Sequence, residues 1–228
     1  TSSSPVGYVA TRPGPCMASS DTFTITVTGR GGHASEPHRA LDPIPVACEI
    51  VQALQTMVTR RIDVFDPTIV TVSKIMAGTT SNVIPETAEI LGTIRAVSER
   101  TRGKVHDGIR RVAEGIGAVE VHVNLGYPVT VNGASFTDFS MDVAREVIGA
   151  DKVVKLANPV MGAEDFSYVI EQVPGTMMFL GGTPLDRNVA NAAPNHSNRV
   201  YFDEQAMVDG TAIYAAVAMR HLGLSLTP

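Results

Sequence analysis

The fold is decided by the stretch Thr28-Gly29-Arg30-Gly31-Gly32-His33-Ala34-Ser35-Glu36-Pro37-His38. Residues 22–28, which lead into it, alternate between apolar and polar side chains and predict a β-strand. Three glycines then let the backbone take a positive φ or come close to another group. A histidine held on such a turn is placed to donate a hydrogen bond. The alternative is a plain strand-to-helix turn in which His33 and His38 are incidental.

Residues 21–127 around this turn alternate between strand and helix patterns. Apolar residues recur at helical spacing over 43–58 and 99–116, and further strand patterns cover 68–75, 88–97 and 120–127. The order β-α-β-β-α-β is the split βαβ arrangement. We therefore expect an antiparallel sheet with two helices on one face.

The flanking segments, 1–20 and 128–228, have a different character. Helices are predicted over 134–148 and 203–222, and short buried strands over 5–10, 153–156 and 177–180. Strands that alternate with helices indicate an α/β sheet, but so few strands make only part of one. We expect the 21–127 unit to be inserted in a larger α/β domain.

Composition excludes several classes of function. The chain has 228 residues, a formal net charge of −5 and no basic stripe, so we expect no nucleic-acid partner. No apolar run approaches the roughly 20 residues of a membrane span, and the first residues do not form a signal sequence. The two cysteines, Cys16 and Cys48, lack a metal-type or redox spacing. We expect reduced thiols and a cytoplasmic protein without a membrane partner.

Two polar residues near the third strand of the 21–127 unit are candidates for substrate binding. Asn82 lies in the loop Thr80-Ser81-Asn82-Val83-Ile84-Pro85, and Arg95 lies near the end of the strand that follows. An arginine among apolar strand residues is costly unless its charge is paired, and a carboxylate is its best bidentate partner. Arg95 therefore either binds a ligand carboxylate or forms an internal salt bridge.

Two further candidates lie in the last hundred residues. Glu164 and Asp165 stand at the start of a predicted helix, where acidic residues ordinarily complement the helix dipole. His196 lies in an irregular loop that follows Gly181 and Gly182 at the end of a strand. That position suits a metal ligand as well as a surface histidine. A zinc site needs three or four ligands, and this chain offers one good candidate.

The order of these motifs resembles the amidohydrolase branch of the aminoacylase/carboxypeptidase metallopeptidases. That branch includes hippurate hydrolases, N-acyl-amino-acid amidohydrolases and auxin-conjugate hydrolases. The resemblance runs from about residue 5 to residue 222 and implies a zinc-peptidase-like α/β catalytic domain interrupted by a ferredoxin-like split βαβ lid that also dimerises. Residues 1–20 would end a catalytic segment and form a linker, 21–127 would form the lid, and 128–228 would form the C-terminal part of the catalytic domain.

The resemblance implies roles for the lid residues. His33 would reach the active site of the partner subunit in a homodimer and stabilise the oxyanion of the scissile amide. Asn82 would orient the substrate, and Arg95 would bind the free carboxylate of an N-acyl amino acid.

It also implies roles for residues outside the lid. Gly181 and Gly182 would line the substrate pocket, and His196 would be a metal ligand. Glu164 and His38 lie in motifs of the branch, but neither receives a defined role.

The implied chemistry is amide hydrolysis by a divalent metal centre of two ions (zinc, manganese, cobalt or nickel), with a glutamate as general base. The family's Cys-Gly-His-Asp and Glu-Glu motifs, which supply the base and the other ligands, do not occur in these residues. We therefore expect the later half of an enzyme, inactive in isolation. The alternatives are a non-catalytic dimerisation or binding module derived from that family, or a small-molecule binder that captures carboxylates through Arg95.

Overall fold

The computed structural model describes residues 1–224, which contain eleven β-strands and five α-helices. The strands are β1 (Val9–Thr11), β2 (Gly14–Met17), β3 (Asp21–Thr28), β4 (Gly32–His33), β5 (Thr68–Ala77), β6 (Val83–Ile84), β7 (Thr87–Ala96), β8 (Val119–Leu125), β9 (Thr130–Asn132), β10 (Val153–Lys155) and β11 (Phe179–Leu180). The helices are α1 (Pro43–Arg61), α2 (Glu99–Ile116), α3 (Ala134–Ile148), α4 (Phe166–Gln172) and α5 (Ala206–His221). They fall into two compact units.

The first unit, here the sheet unit, comprises residues 17–130 and 160–167. Its four-stranded sheet has the order β5-β7-β3-β8, and every neighbouring pair is antiparallel. With α1 after the first strand and α2 after the third, this is the ferredoxin-like split βαβ fold. The predicted fold of this region is confirmed.

Strand alternation places the core of the sheet unit. Phe23, Ile25 and Val27 of β3 are buried, whereas the threonines between them are partly or fully exposed. The buried residues of α1 and α2 pack against these side chains, among them Ile50, Leu54, Val105 and Ile109. The apolar side chains that recur at every second strand residue therefore pack against those that recur at helical spacing on α1 and α2, on one face of the sheet.

Local signals fix the ends of both helices of the sheet unit. The Asp42 side chain accepts a hydrogen bond from the Ile44 amide at 3.0 Å, and Pro43 stands in the first turn of α1, where no amide proton is needed. The Ser98 hydroxyl accepts from the Thr101 amide at 3.1 Å and starts α2. Helix α2 has the bounds predicted from the sequence, whereas α1 continues three residues beyond the predicted end at 58.

The second unit, here the α/β unit, comprises residues 1–16, 131–159 and the described residues from 168 onward. Its sheet has the order β10-β1-β11, with β1 parallel to β10 and antiparallel to β11. Helices α3 and α5 pack on each other, and the core contains Val9, Met141, Ala144, Val153 and Ile213. The sparse α/β sheet expected from the sequence is present.

Two short pairings were not predicted. Strands β2 and β9 pair, although the sequence predicts neither as a strand, and β4 pairs with β6, where the sequence shows a glycine turn and a loop. Strands of two to four residues are too short to show the alternation of apolar and polar side chains from which a strand is predicted.

Two remaining expectations concern thiols and membranes. Cys16 is buried, Cys48 is exposed, and both thiols are free. Burial raises the pKa of the Cys16 thiol. Within residues 1–224, no helix is both long enough and apolar enough to cross a bilayer.

Candidate functional site

His33 lies on a two-stranded ribbon formed by β4 and β6, opposite Val83. The Ser35 amide donates to His33 Nδ1 at 3.1 Å, and the Ser35 hydroxyl lies 2.8 Å from the same nitrogen. Because Nδ1 accepts a hydrogen bond, the proton of the neutral ring is on Nε2. His33 is exposed, so its Nε2–H is available to an external acceptor.

Asn82 lies beside His33 on the same ribbon. Its backbone carbonyl accepts from the Ala34 amide at 3.1 Å, and its side-chain Oδ1 accepts from the Thr80 hydroxyl at 3.1 Å. These contacts orient the side-chain amide with its NH₂ group in solvent, since Asn82 is exposed. His33 and Asn82 are thus held by adjoining backbone pairings of the ribbon, and each exposes a hydrogen-bond donor.

The glycines of the decisive stretch serve close packing. A Cβ on Gly29 would lie 2.1 Å from the Leu41 carbonyl oxygen, and one on Gly32 would lie 2.9 Å from Ala40 Cβ. Neither glycine has a positive φ. The expectation of close approach is therefore correct, and the expectation of a left-handed backbone is not met at these positions.

Arg95 lies on the half-exposed face of β7, paired with Ile69 of the outer strand β5. Its Nη1 donates to the Ile94 carbonyl at 3.1 Å, and it forms no ion pair with any described residue. The internal salt bridge, one of the two alternatives that the sequence allows for Arg95, is thus absent from residues 1–224. The guanidinium keeps an unmatched charge at the sheet surface.

Arg95 and His33 stand at opposite ends of the sheet unit. Val83, the partner of His33, lines a surface cleft with Thr87 and Glu89 at the beginning of β7. Arg95 lies six positions after Glu89 along β7, a distance of about 20 Å at the usual rise per residue. The structure brings His33 together with Asn82, and it does not bring Arg95 to them within one protomer.

His38 and Glu164 occupy peripheral positions. His38 is exposed in the short 3₁₀ helix Pro37–Arg39. The Glu164 carbonyl accepts from the Ser167 hydroxyl at 2.6 Å, and its side chain accepts from the Asp165 amide at 3.2 Å. Glu164 therefore shapes the start of α4.

Gly181 and Gly182 are buried where two segments of the α/β unit meet. The Gly181 amide donates to the Tyr8 carbonyl at 2.8 Å, and the Gly182 amide donates to the Thr1 carbonyl at 2.9 Å. A Cβ on Gly181 would lie 2.0 Å from the Pro5 carbonyl oxygen. Both amides are already committed to the backbone, so neither N–H is available to a ligand in the predicted pocket.

His196 is exposed in the irregular loop after β11, with φ at 70°. It is the one non-glycine residue with a positive φ among those described, a conformation that its surroundings must hold in place. The neighbouring Asn195 side chain accepts from the Ser2 amide at 2.9 Å and fixes the loop. Within residues 1–224, no group of three or more His, Cys, Asp or Glu side chains could hold a metal ion. His196 alone does not form a metal centre.

Sequence reasoning missed a buried charge network in the sheet unit. Asp21 is fully buried and accepts from Arg102 Nε at 2.8 Å, from Arg102 Nη2 at 2.6 Å and from the Gly126 amide at 2.9 Å. His106 Nε2 lies 2.8 Å from Oδ2 of the same carboxylate. Arg102 and His106 share the buried face of α2 with Val105 and Ile109, a signal visible in the helical spacing.

Hydrogen bonds decide the charge state of this network. Burial alone raises the pKa of the Asp21 carboxyl, but the bonds from Arg102, His106 and Gly126 outweigh it and hold the pKa far below the ordinary value. The hydrogen bond to Asp21 in turn raises the pKa of Arg102. The pair is therefore ionised at neutral pH, and its hydrogen bonds are satisfied within the sheet unit, which indicates a structural role.

Comparison with known proteins shows which families this chain is similar to. Residues 18–119 match the M20 peptidase dimerisation domain. Thermostable carboxypeptidase 1 of Saccharolobus solfataricus is 38% identical over 96% of this chain and 56% of that protein. Hippurate hydrolase of Campylobacter jejuni is 31% identical over 92% of this chain and 55% of that protein. The chain is thus similar to M20 amidohydrolases and peptidases, and its sheet unit to their dimerisation domain.

A solved structure supports the same assignment for the fold. This chain is similar to a dinuclear metal-binding M20 peptidase of Bacillus subtilis, with a TM-score of 0.77 and 28% identity over 99% of this chain and 56% of that one. The chain thus spans about half the length of the curated and solved relatives it matches, and it corresponds to their later half. The resemblance read from the sequence is confirmed, as is the mixed α/β fold with a ferredoxin-like unit.

Proposed function

We propose that this chain is part of a metal-dependent amidohydrolase that cleaves the amide bond of N-acyl amino acids of the hippurate type, or of small peptide-like substrates. The similarity to a hippurate hydrolase and to carboxypeptidases supports hydrolysis of an amide beside a free carboxylate. The observation that carries the proposal is the exposed Nε2–H donor of His33, which Ser35 holds in place on the β4–β6 ribbon.

His33 is proposed to stabilise the developing charge on the scissile carbonyl oxygen. Contacts from Ser35 leave the Nε2–H as the exposed donor, so no rearrangement is needed before that hydrogen bond forms. A preoriented donor of this kind contributes about 3 kcal/mol to transition-state stabilisation in other enzymes. Asn82, oriented by Thr80, is proposed to hold the substrate beside it.

Arg95 is proposed to bind the substrate carboxylate. Its charge is unmatched among the described residues, and a guanidinium pairs with a carboxylate through two parallel hydrogen bonds. Because about 20 Å of strand lies between Arg95 and the His33 end of the sheet, one small substrate could meet both only if they come from different protomers.

A homodimer is therefore part of the proposal, with β5 as the contact. Strand β5 lies at the edge of the sheet, where β7 covers one side only. Ile69, Ile75 and Met76 on this strand are 42%, 49% and 39% exposed. An unpaired edge carrying apolar side chains favours pairing with a second sheet.

His196 is proposed as one ligand of a divalent metal centre of two ions (zinc, manganese, cobalt or nickel). The described residues do not complete such a centre, so the remaining ligands and the general base are proposed to lie in the part of the M20 relatives that this chain does not span. Ions bound there would supply an activated water.

Complementation between variants of the complete protein tests the proposal. We expect His33→Ala and His196→Ala proteins each to be nearly inactive on hippurate. After equal amounts of the two variants are mixed and their subunits pair at random, about half of the dimers contain one subunit of each kind. One of the two sites in each mixed dimer is then intact, so the mixture should recover about a quarter of wild-type activity. If the hybrids stay inactive while mixed wild-type subunits exchange and remain active, His33 does not act across the dimer.

A non-catalytic dimerisation module is the second candidate. It is favoured by the match of residues 18–119 to a dimerisation domain and by the lack of a metal-binding group within residues 1–224. The two candidates differ in the complete protein: the module would leave hippurate intact with zinc or manganese present, and the hydrolase would cleave it. Both predict that the 228 residues alone are inactive.

A further inference from the structure

A second cleft lies in the α/β unit, within the loop that carries His196. Its volume is about 490 Å³, within the range of small-ligand pockets. Apart from Ala192 and Ala193, the side chains around it are cationic, aromatic or neutral and polar: Arg187, Arg199, Tyr201, Asn188, Asn191 and Thr183. No acidic residue is among those that line it.

Both arginines of this cleft carry unmatched charge. Neither forms an ion pair with a described residue, although Asp186 and Asp203 are close to them in sequence. The Asp203 side chain instead accepts from the Gln205 amide at 2.9 Å. Two guanidinium groups at one cleft repel each other, and an anion between them removes that repulsion.

The cleft is also held in shape before any ligand binds. The Arg187 guanidinium lies 4.6 Å from the centre of the Tyr201 ring, a cation–π contact that restricts its orientation. The buried Thr183 hydroxyl donates to the Ser2 carbonyl at 2.7 Å, and Asn188 caps the Ala190 amide at 2.9 Å. Such fixed geometry lowers the ordering cost of binding.

We propose that this cleft binds a small dianion through Arg187 and Arg199, with carboxylate or phosphate oxygens as the acceptors. Two planar guanidinium groups match two anionic oxygen pairs, and the side chain of Asn191 adds a neutral donor at the same cleft. The site is distinct from Arg95, which lies in the sheet unit.

Direct titration of the 228-residue chain tests this site. Isothermal calorimetry at low ionic strength would use succinate and inorganic phosphate in separate arms, with acetate as the monoanion. We expect saturable binding of at least one dianion, at least about tenfold tighter than acetate. Arg187→Gln and Arg199→Gln should each raise the Kd by about tenfold or more.

Arg145→Gln is the matched control, because it removes the same charge from an exposed side chain of the same unit that is already paired with Asp142 at 2.7 Å. It should change the Kd by less than about twofold. Circular dichroism of each variant checks folding. Absence of saturable binding, equal affinity for acetate, or equal weakening by Arg145→Gln would overturn the site. Because no turnover is measured, none of these results bears on the proposed hydrolase.

Discussion

Arg95 lies among apolar neighbours on β7, and its guanidinium forms no ion pair with a described residue. Two substitutions distinguish the forked contact proposed for substrate binding from the effect of positive charge alone. In the complete protein, we expect Arg95→Ala to raise the KM for an N-acyl amino acid by about tenfold to a hundredfold, because charged hydrogen bonds are lost. Arg95→Lys should recover little of this, since an ammonium does not reproduce a forked contact.

Steady-state kinetics on hippurate measure the effect. Arg110→Ala is the control, because Arg110 is an exposed arginine of α2 in the same unit. If wild type, Arg95→Ala and Arg95→Lys gave the same kinetics, Arg95 would not bind substrate.

At this scale, sequence reasoning found single residues in short motifs and missed a contact between distant ones. His33, Asn82 and Arg95 each stand in a local pattern that can be recognised. Asp21 and Arg102 are 81 residues apart, and nothing near Asp21 distinguishes it from any aspartate at the start of a strand. Their bond depends on how α2 docks on the sheet, which only the folded chain determines.

Helix α2 begins at an acid-sensitive cluster. Burial raises the pKa of the Asp66 carboxyl, but hydrogen bonds from Thr101, Ser98 and Arg100 outweigh burial and lower it below its ordinary 3.8. The folded state therefore gains stability from ionised Asp66 above pH 3.8. This gain is lost as pH falls through the lower, folded-state value.

We expect Asp66→Asn to reduce the free energy of unfolding by about 2 kcal/mol at pH 7, because the donors lose a charged acceptor. The difference from wild type should shrink as the pH falls below 3.8 and Asp66 becomes protonated. Urea unfolding across that range measures it. Asp107→Asn, at an exposed position of α2, should leave stability unchanged. A pH-independent difference for Asp66→Asn would contradict the role of its charge.

Long periodic elements could be predicted and short ones could not. The bounds of α2 and α3 follow from helical spacing, and those of β3, β5 and β7 from alternation, within two residues. The β4–β6 ribbon has two residues per strand, so it shows no period. It is this ribbon that holds His33 and Asn82 together.

At the scale of the whole molecule, the proposed dimer depends on the outer strand β5. We expect Met76→Lys to shift the protein toward monomer, because a charge would be buried in the apolar contact. Light scattering coupled to size exclusion, over a range of concentrations, measures the shift. Leu125→Lys is the control, since Leu125 is 70% exposed on β8 at the opposite edge. Monomer formation by Leu125→Lys and not by Met76→Lys would place the contact on the other edge.

The ends of the ferredoxin-like fold lie side by side. The Ser20 amide donates to the Tyr127 carbonyl at 2.9 Å, and Asp21 pairs with Leu125. The chain therefore enters and leaves the ferredoxin-like fold at two points only a few ångströms apart. Such a module can be transplanted: excising residues 20–127 and bridging the gap with a short glycine linker would leave the host chain's course nearly unchanged, and the same segment could be grafted into an unrelated loop.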